Sequence, residues 1–176
     1  MIETTKYKRI AVKVGSNVLT RQDGTLDVTR MSALVDQIAN MRKSGIEVIL
    51  ISSGAVACGR SELRHMSLGE LDTVDQRQLF SAVGQAKLMN RYYELFKEYG
   101  ISVGQVLTLK ESFSTERHYQ NQRNCMRVML QNGVLPIVNE NDTVSITELM
   151  FTDNDELSGL IATMMDVQAL FLLSNV

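Results

Sequence analysis

The chain has 176 residues, 44% apolar and 22% charged, with 18 Lys and Arg against 20 Asp and Glu for a formal charge of -2. A chain of this size buries roughly 70% of its unfolded surface, so one core forms without disulfides or structural metals, and disorder is excluded. The near-zero charge lacks the electrostatic footprint of a protein that works on nucleic acid or anionic lipid, and 6% aromatic residues with no Trp leave little for base stacking.

Met1 to Lys6 contain no apolar targeting segment, and nothing approaches the roughly 18 continuous apolar residues of a membrane span. A cytoplasmic protein is expected, without membrane or nucleic-acid partners. Ile10-Ala11-Val12-Lys13-Val14 reads as the first strand. A helix follows, with Met31, Leu34, Val35, Ile38 and Ala39 at helical spacing behind an Asp27 N-cap and Gly45 at its end. Val48 to Ile51 is the second strand. The next helix is expected to place Leu79, Ala82, Val83, Ala86, Met89 and Phe96 on its core face and to end near Gly100. Val103 to Leu109 is the third strand, followed by a helix carrying Tyr119, Met126, Met129 and Leu130 that ends at Asn132-Gly133. In the fourth strand, Val134 to Val138, Pro136 removes a ladder donor and belongs at an edge, a bulge or the strand start. A last helix starts around Asp153 and carries Leu157, Leu160, Ile161 and Met164, and Ala169 to Leu173 is the fifth strand.

Strand and helix in alternation mean βαβ units, and right-handed crossovers put helices on both faces of a mainly parallel sheet. The expected fold is a three-layer α/β/α sandwich, with strands apolar on both faces. Cys58 and Cys125 have no metal-ligand or disulfide spacing and are expected to be buried and inert.

In open α/β sheets ligands bind beyond the carboxyl ends of the strands. Here those ends carry Gly15-Ser16-Asn17, Ser52-Ser53-Gly54-Ala55, Lys110-Glu111-Ser112, Asn139-Glu140-Asn141-Asp142 and Ser174-Asn175. Ordinary turn statistics explain part of this polarity. Lys13 stands out, because an ammonium inside an apolar strand needs an anion or a carboxylate unless its stem reaches water. Gly54 to Ser61 is one residue away from a P-loop, with Arg60 where the lysine belongs, and a planar fork does not replace a compact ammonium between phosphates. A helix N-terminus there still suits a carboxylate or a transferring phosphate. Helix capping explains part of Asp153-Asn154-Asp155-Glu156 but not the acids of the fourth loop. Carboxylates facing lysines across a cleft suit a bound amine, a lysine held in place, or Mg²⁺ brought in with a nucleotide. His65 and His118 are the only histidines, no GxSxG elbow and no GxGxxG occur, and hydrolytic triads, zinc catalysis and dinucleotide folds lack their parts.

Val12-Lys13-Val14-Gly15-Ser16, Ser52-Ser53-Gly54-Ala55-Val56, Ala82-Val83-Gly84-Gln85, Val103-Gly104-Gln105, Asn139-Glu140-Asn141-Asp142 and Asp153-Asn154-Asp155 resemble, in the same order, the glutamate 5-kinases of the amino acid kinase superfamily. The resemblance runs from about Lys8 to the end. It implies that Lys13 contacts the ATP phosphates, with Gly15 and Ser16 beside it, and that Asp155 orders the catalytic lysines. It implies further that Ser53, Asp142 and Asn154 bind L-glutamate and that Gly54 and Ala55 supply backbone donors. Ser174 and Asn175 stand where the family usually has Thr-Asp in its nucleotide site. The implied reaction moves the γ-phosphoryl group of ATP, with Mg²⁺ carried on the nucleotide, to the side-chain carboxylate of L-glutamate, the first step of proline biosynthesis. Residues 1–176 would be the glutamate-binding portion, with the nucleotide-binding portion beyond Val176; a homo-oligomer and feedback inhibition by proline are further expectations of the family. Other readings stay open: a sister kinase for another acid, a non-catalytic amino-acid-binding fragment, and a degenerate P-loop NTPase that depends on Arg60.

Overall fold

A computed structural model describes residues 7–145 and 154–174. Strands β1 (Arg9–Val14), β2 (Glu47–Ser52), β3 (Val103–Thr108), β4 (Leu135–Glu140) and β5 (Ala169–Leu173) form one sheet in the order β3-β4-β2-β1-β5, and every pairing is parallel. Period-two alternation splits their side chains between two cores. Ile10, Val12, Val14, Val48, Leu50, Leu135 and Ile137 pack with residues of α2 (Val28–Lys43), α3 (Ala55–Glu62) and α4 (Thr73–Lys97) on one face. Ala11, Ile49, Ile51 and Val138 pack with residues of α5 (Glu116–Gln131) and α6 (Asn154–Met164) on the other. This is the expected three-layer sandwich, and each fully buried Leu, Phe or Met in it contributes about 1.5–3 kcal/mol.

The sequence signals for α2 act as read: the Asp27 carboxylate accepts from the Arg30 N–H at 3.1 Å, and Gly45 turns the chain with φ 83°. Pro136 is the second residue of β4 and sits at the strand start rather than at an edge. Leu135 N–H donates toward β3, to Ser102 O at 2.9 Å, so the missing Pro136 donor faces β2, where registered pairs begin only at Ile137.

Two expectations are corrected. The buried face of α4 runs through Phe80, Ser81, Gly84, Gln85, Leu88, Tyr92 and Phe96, while Ala82 and Ala86 are exposed. The reason is a backbone contact with α3. A Cβ on Gly84 would stand 1.8 Å from the Ala55 carbonyl oxygen, and one on Gly59 would stand 1.8 Å from the Phe80 carbonyl oxygen. Gly84 therefore marks the contact line with α3, and the buried face is centred on it, leaving Ala82 and Ala86 outside. Cys125 is exposed, because it lies on the outer side of α5; Cys58 is buried as expected, and burial pushes its thiol up, away from reactivity.

Candidate functional site

Beyond the carboxyl ends of β1, β2 and β4 lies a cleft of about 510 Å³. Lys13, Gly15, Ser16, Ser53, Gly54, Ala55, Asp142, Asn154 and Ser174 line it, so most of the residues expected from the sequence meet in one place. Asn175 and Asp153 lie outside the described residues.

Lys13 is the next-to-last residue of β1 and is 7% exposed. Its Nζ lies 2.5 Å from Oδ1 of Asp155 in the first turn of α6. The carboxylate answers the question raised by a buried ammonium in an apolar strand. Gly15 is followed by the short helix α1 (Ser16–Leu19), and its N–H already donates to Leu173 O at 2.9 Å. A Cβ on Gly15 would make only ordinary contacts, 3.5 Å from Leu173 O and 3.8 Å from the Lys13 ammonium.

The second turn is built by Gly54. With φ 104° it occupies the left-handed region, where a side chain is strained, and it caps α3 without any side-chain bond to the first N–H groups. Those donors open on the cleft. Ser53 is held by its N–H to Val14 O at 3.1 Å, and its hydroxyl accepts from the Asn154 side-chain amide. Residues 55–62 are helical, so Gly59 packs against α4 instead of wrapping an anion, and the P-loop likeness dissolves into helix packing. Arg60 lines the cleft with its guanidinium 5.5 Å from the Phe80 ring centre.

The fourth strand end differs from the expected loop. Asn139 and Glu140 belong to β4, paired with Leu107 and Thr108 of β3, and both are buried. Polar residues are tolerated there because α4 offers a polar stripe at i, i+4 spacing, Arg77-Ser81-Gln85. Gln85 accepts from the Asn139 amide at 2.9 Å. Arg77 places Nε 2.7 Å and Nη2 2.5 Å from Asp142 Oδ1, with Nη2 also 3.2 Å from Glu140 Oε2. Glu140 accepts a further bond from Ser145 at 3.1 Å. Burial holds the Asp142 carboxyl above its ordinary value, opposed by the Arg77 charge and by hydrogen bonds from Arg77 and Ser81. Arg77, Ser81 and Gln85 were missed from sequence; their i, i+4 spacing in line with Leu88, Tyr92 and Phe96 is the signal that could have found them. Behind the second turn, the Tyr92 hydroxyl, fully buried, lies 2.9 Å from Ser52 Oγ and anchors the residue next to Ser53.

Among the described residues no group of three His, Cys, Asp or Glu side chains could hold a metal ion. Asp142 and Asp155 are each engaged with a cation, so these donors do not fit a resident Mg²⁺. No described helix is long and apolar enough to cross a membrane.

A parallel α/β sandwich with a paired lysine, a glycine turn and a helix N-terminus opening on one cleft defines the class: an α/β protein whose strand-end cleft suits small anions. The chain belongs to the amino acid kinase family, whose model matches residues 8–176. It is 77% identical over 171 residues to a glutamate 5-kinase of Bacteroides thetaiotaomicron, covering 97% of this chain and 47% of that protein. A glutamate 5-kinase of Chlorobaculum tepidum is 51% identical over 97% of this chain and 46% of its own length, and glutamate 5-kinase 2 of Bacillus subtilis is 40% identical over 100% and 47%. The chain thus spans about half the length of these curated relatives. A solved isopentenyl phosphate kinase matches in fold with a TM-score of 0.64 at 16% identity, covering 96% of this chain and 72% of the other.

Proposed function

We propose that this chain forms the glutamate-binding and phosphoryl-receiving part of a glutamate 5-kinase, which transfers the γ-phosphoryl group of ATP to the side-chain carboxylate of L-glutamate. The observation that carries the reading is the Lys13–Asp155 pair set between the open Gly54–Ala55 turn and the Asp142 carboxylate. High identity to proteins named glutamate 5-kinase supports the choice of substrate.

The chemistry asks little of the protein in proton transfer. The acceptor carboxylate is ionised at neutral pH, so no general base is required. A carboxylate oxygen forms the new bond to the γ-phosphorus as the bond to the departing ADP oxygen breaks. The task is to bring two anions together and to neutralise charge on the group in transit. Lys13, held in line by Asp155, meets that charge, and the free N–H groups at the start of α3 receive an anionic oxygen. Asp142 takes the substrate ammonium, and Ser53 with Asn154 takes its polar groups. Gly15, Ser16 and Ser174 face the nucleotide, and the resemblance gives Asn175 to the same site. Mg²⁺ carried with the nucleotide would add charge neutralisation at the phosphates.

The test has two parts. Calorimetry on the chain is expected to show saturable binding of L-glutamate, lost in Asp142→Ala. Joined to the remaining half of the Bacteroides thetaiotaomicron relative, the chain is expected to release ADP only when L-glutamate is present. Equal turnover with another carboxylic acid and none with glutamate would sink the substrate assignment. A homo-oligomer and inhibition by proline belong to the same proposal; size measurement of the joined protein and a proline titration of its ADP release check them.

A further inference from the structure

We infer that Arg77 is a positioning residue for substrate recognition: its guanidinium holds Asp142 in place and ionised, so that this carboxylate can receive the substrate's ammonium group. The inference rests on the reading of the cleft as a glutamate site. Arg77 reaches from α4 to two acids at once, Asp142 through Nε at 2.7 Å and Nη2 at 2.5 Å, and Glu140 through Nη2 at 3.2 Å. Both acid side chains are more than nine-tenths buried, while the guanidinium is one-third exposed.

The charge count gives the argument its direction. Asp142 faces Arg77 and the Ser81 hydroxyl from α4 and Glu140 from β4; among the described residues the other charges around the cleft are Arg60 of α3 and Lys13 of β1 with Asp155 of α6. Two buried carboxylates against one guanidinium leave one negative charge in excess. Burial and the neighbouring acid both oppose ionisation of Asp142, and Arg77 opposes them. Without Arg77 the two acids would share a proton, and a protonated Asp142 no longer attracts an ammonium. A bound ammonium brings the group to two negative and two positive charges. Lysine in place of Arg77 supplies charge without the fork that spans both acids, so it should restore only part of the effect.

The experiment uses the full chain, with folding checked by circular dichroism. Asp142 is titrated by carboxyl-carbon NMR without substrate, and L-glutamate affinity is followed against pH by calorimetry. In Arg77→Gln the Asp142 midpoint should rise by about one pH unit or more, and affinity should be lost below the new midpoint, about tenfold for each pH unit under it, and recover above it. Adding Glu140→Gln to Arg77→Gln should return both quantities toward wild type, which loss of a merely structural contact would not predict. Arg77→Lys should fall between, and it carries the test if Arg77→Gln does not fold. An unmoved Asp142 midpoint in either Arg77 variant, or no recovery in the double variant, overturns the inference. A wild-type chain that binds no L-glutamate, with the Asp142 midpoint still moving in Arg77→Gln, overturns the glutamate reading instead and upholds Arg77's hold on Asp142.

Discussion

Two cation–carboxylate groups share the cleft, and their differences separate two kinds of work. Lys13 and Asp155 are balanced one to one, and the Asp155 side chain is 48% exposed. Arg77, Glu140 and Asp142 are unbalanced, with the acid side chains 4% and 8% exposed. In the first pair only Asp155 opens on solvent: the Lys13 side chain, 9% exposed, is nearly as buried as the two acids, so its ammonium depends on that carboxylate or on an incoming anion. The second is locked into β4 and α4, and it keeps a fixed negative charge ready for a cation. A site that must handle moving phosphates and one amino group gains from having both arrangements side by side.

The sharpest way to break the comparison is at Lys13. Lys13→Ala should lower ADP release by about 10²–10³-fold in the joined protein while L-glutamate still binds, because the charge it meets develops during transfer. Comparable loss of glutamate binding would erase the division of labour. Removing the partner cation on the other side should do the reverse to the fold: Arg77→Ala is expected to destabilise by about 3–5 kcal/mol in urea unfolding, the usual cost of stranding buried charge. Asp155→Asn removes the half-exposed partner of the buried Lys13 ammonium, so it should also destabilise, by less than Arg77→Ala. If the two losses were equal, burial would not be what distinguishes the groups.

Acidity offers a subtler test. Because the folded Asp142 carboxyl lies above its unfolded value, its contribution to stability is present at low pH and is lost as pH rises through the folded midpoint. Binding of an ammonium favours the ionised form. The rise in melting temperature produced by L-glutamate should therefore shrink as pH falls through the Asp142 titration, while the unliganded chain gains from the same group; a pH-independent rise would contradict the assignment. The smallest effect is expected at the rim, where Lys110 pairs with Glu156 at 2.9 Å in the open: Lys110→Ala should change stability by about 0.5 kcal/mol or less.

Much of this was legible in the residues themselves. The strands show because burial on both faces makes them continuous apolar runs, and Asp27 and Gly45 show because helix ends need a donor cap and a positive φ. Lys13 shows because a charge in such a run demands an explanation. What stayed hidden depends on contacts between distant segments. The face of α4 was misread because its contact line is Gly84 and Ser81, residues that hydrophobic periodicity passes over. Asn139 and Glu140 look like a loop until their partners Gln85 and Arg77 are supplied by another helix. Apart from its four-residue spacing to Ser81, Arg77 carries no local mark of its function, since its two acids lie 63 and 65 positions along the chain.

The two glycine contacts between α3 and α4 have a mechanical consequence. Helices that touch through side chains can slide by exchanging rotamers, but Gly59 and Gly84 bring backbone against backbone, where no such slack exists. The turn at Gly54 and the guanidinium of Arg77 are therefore coupled as parts of one rigid bracket. Shear between these helices would have to break that backbone contact, so the turn and the guanidinium are expected to move together when a substrate enters.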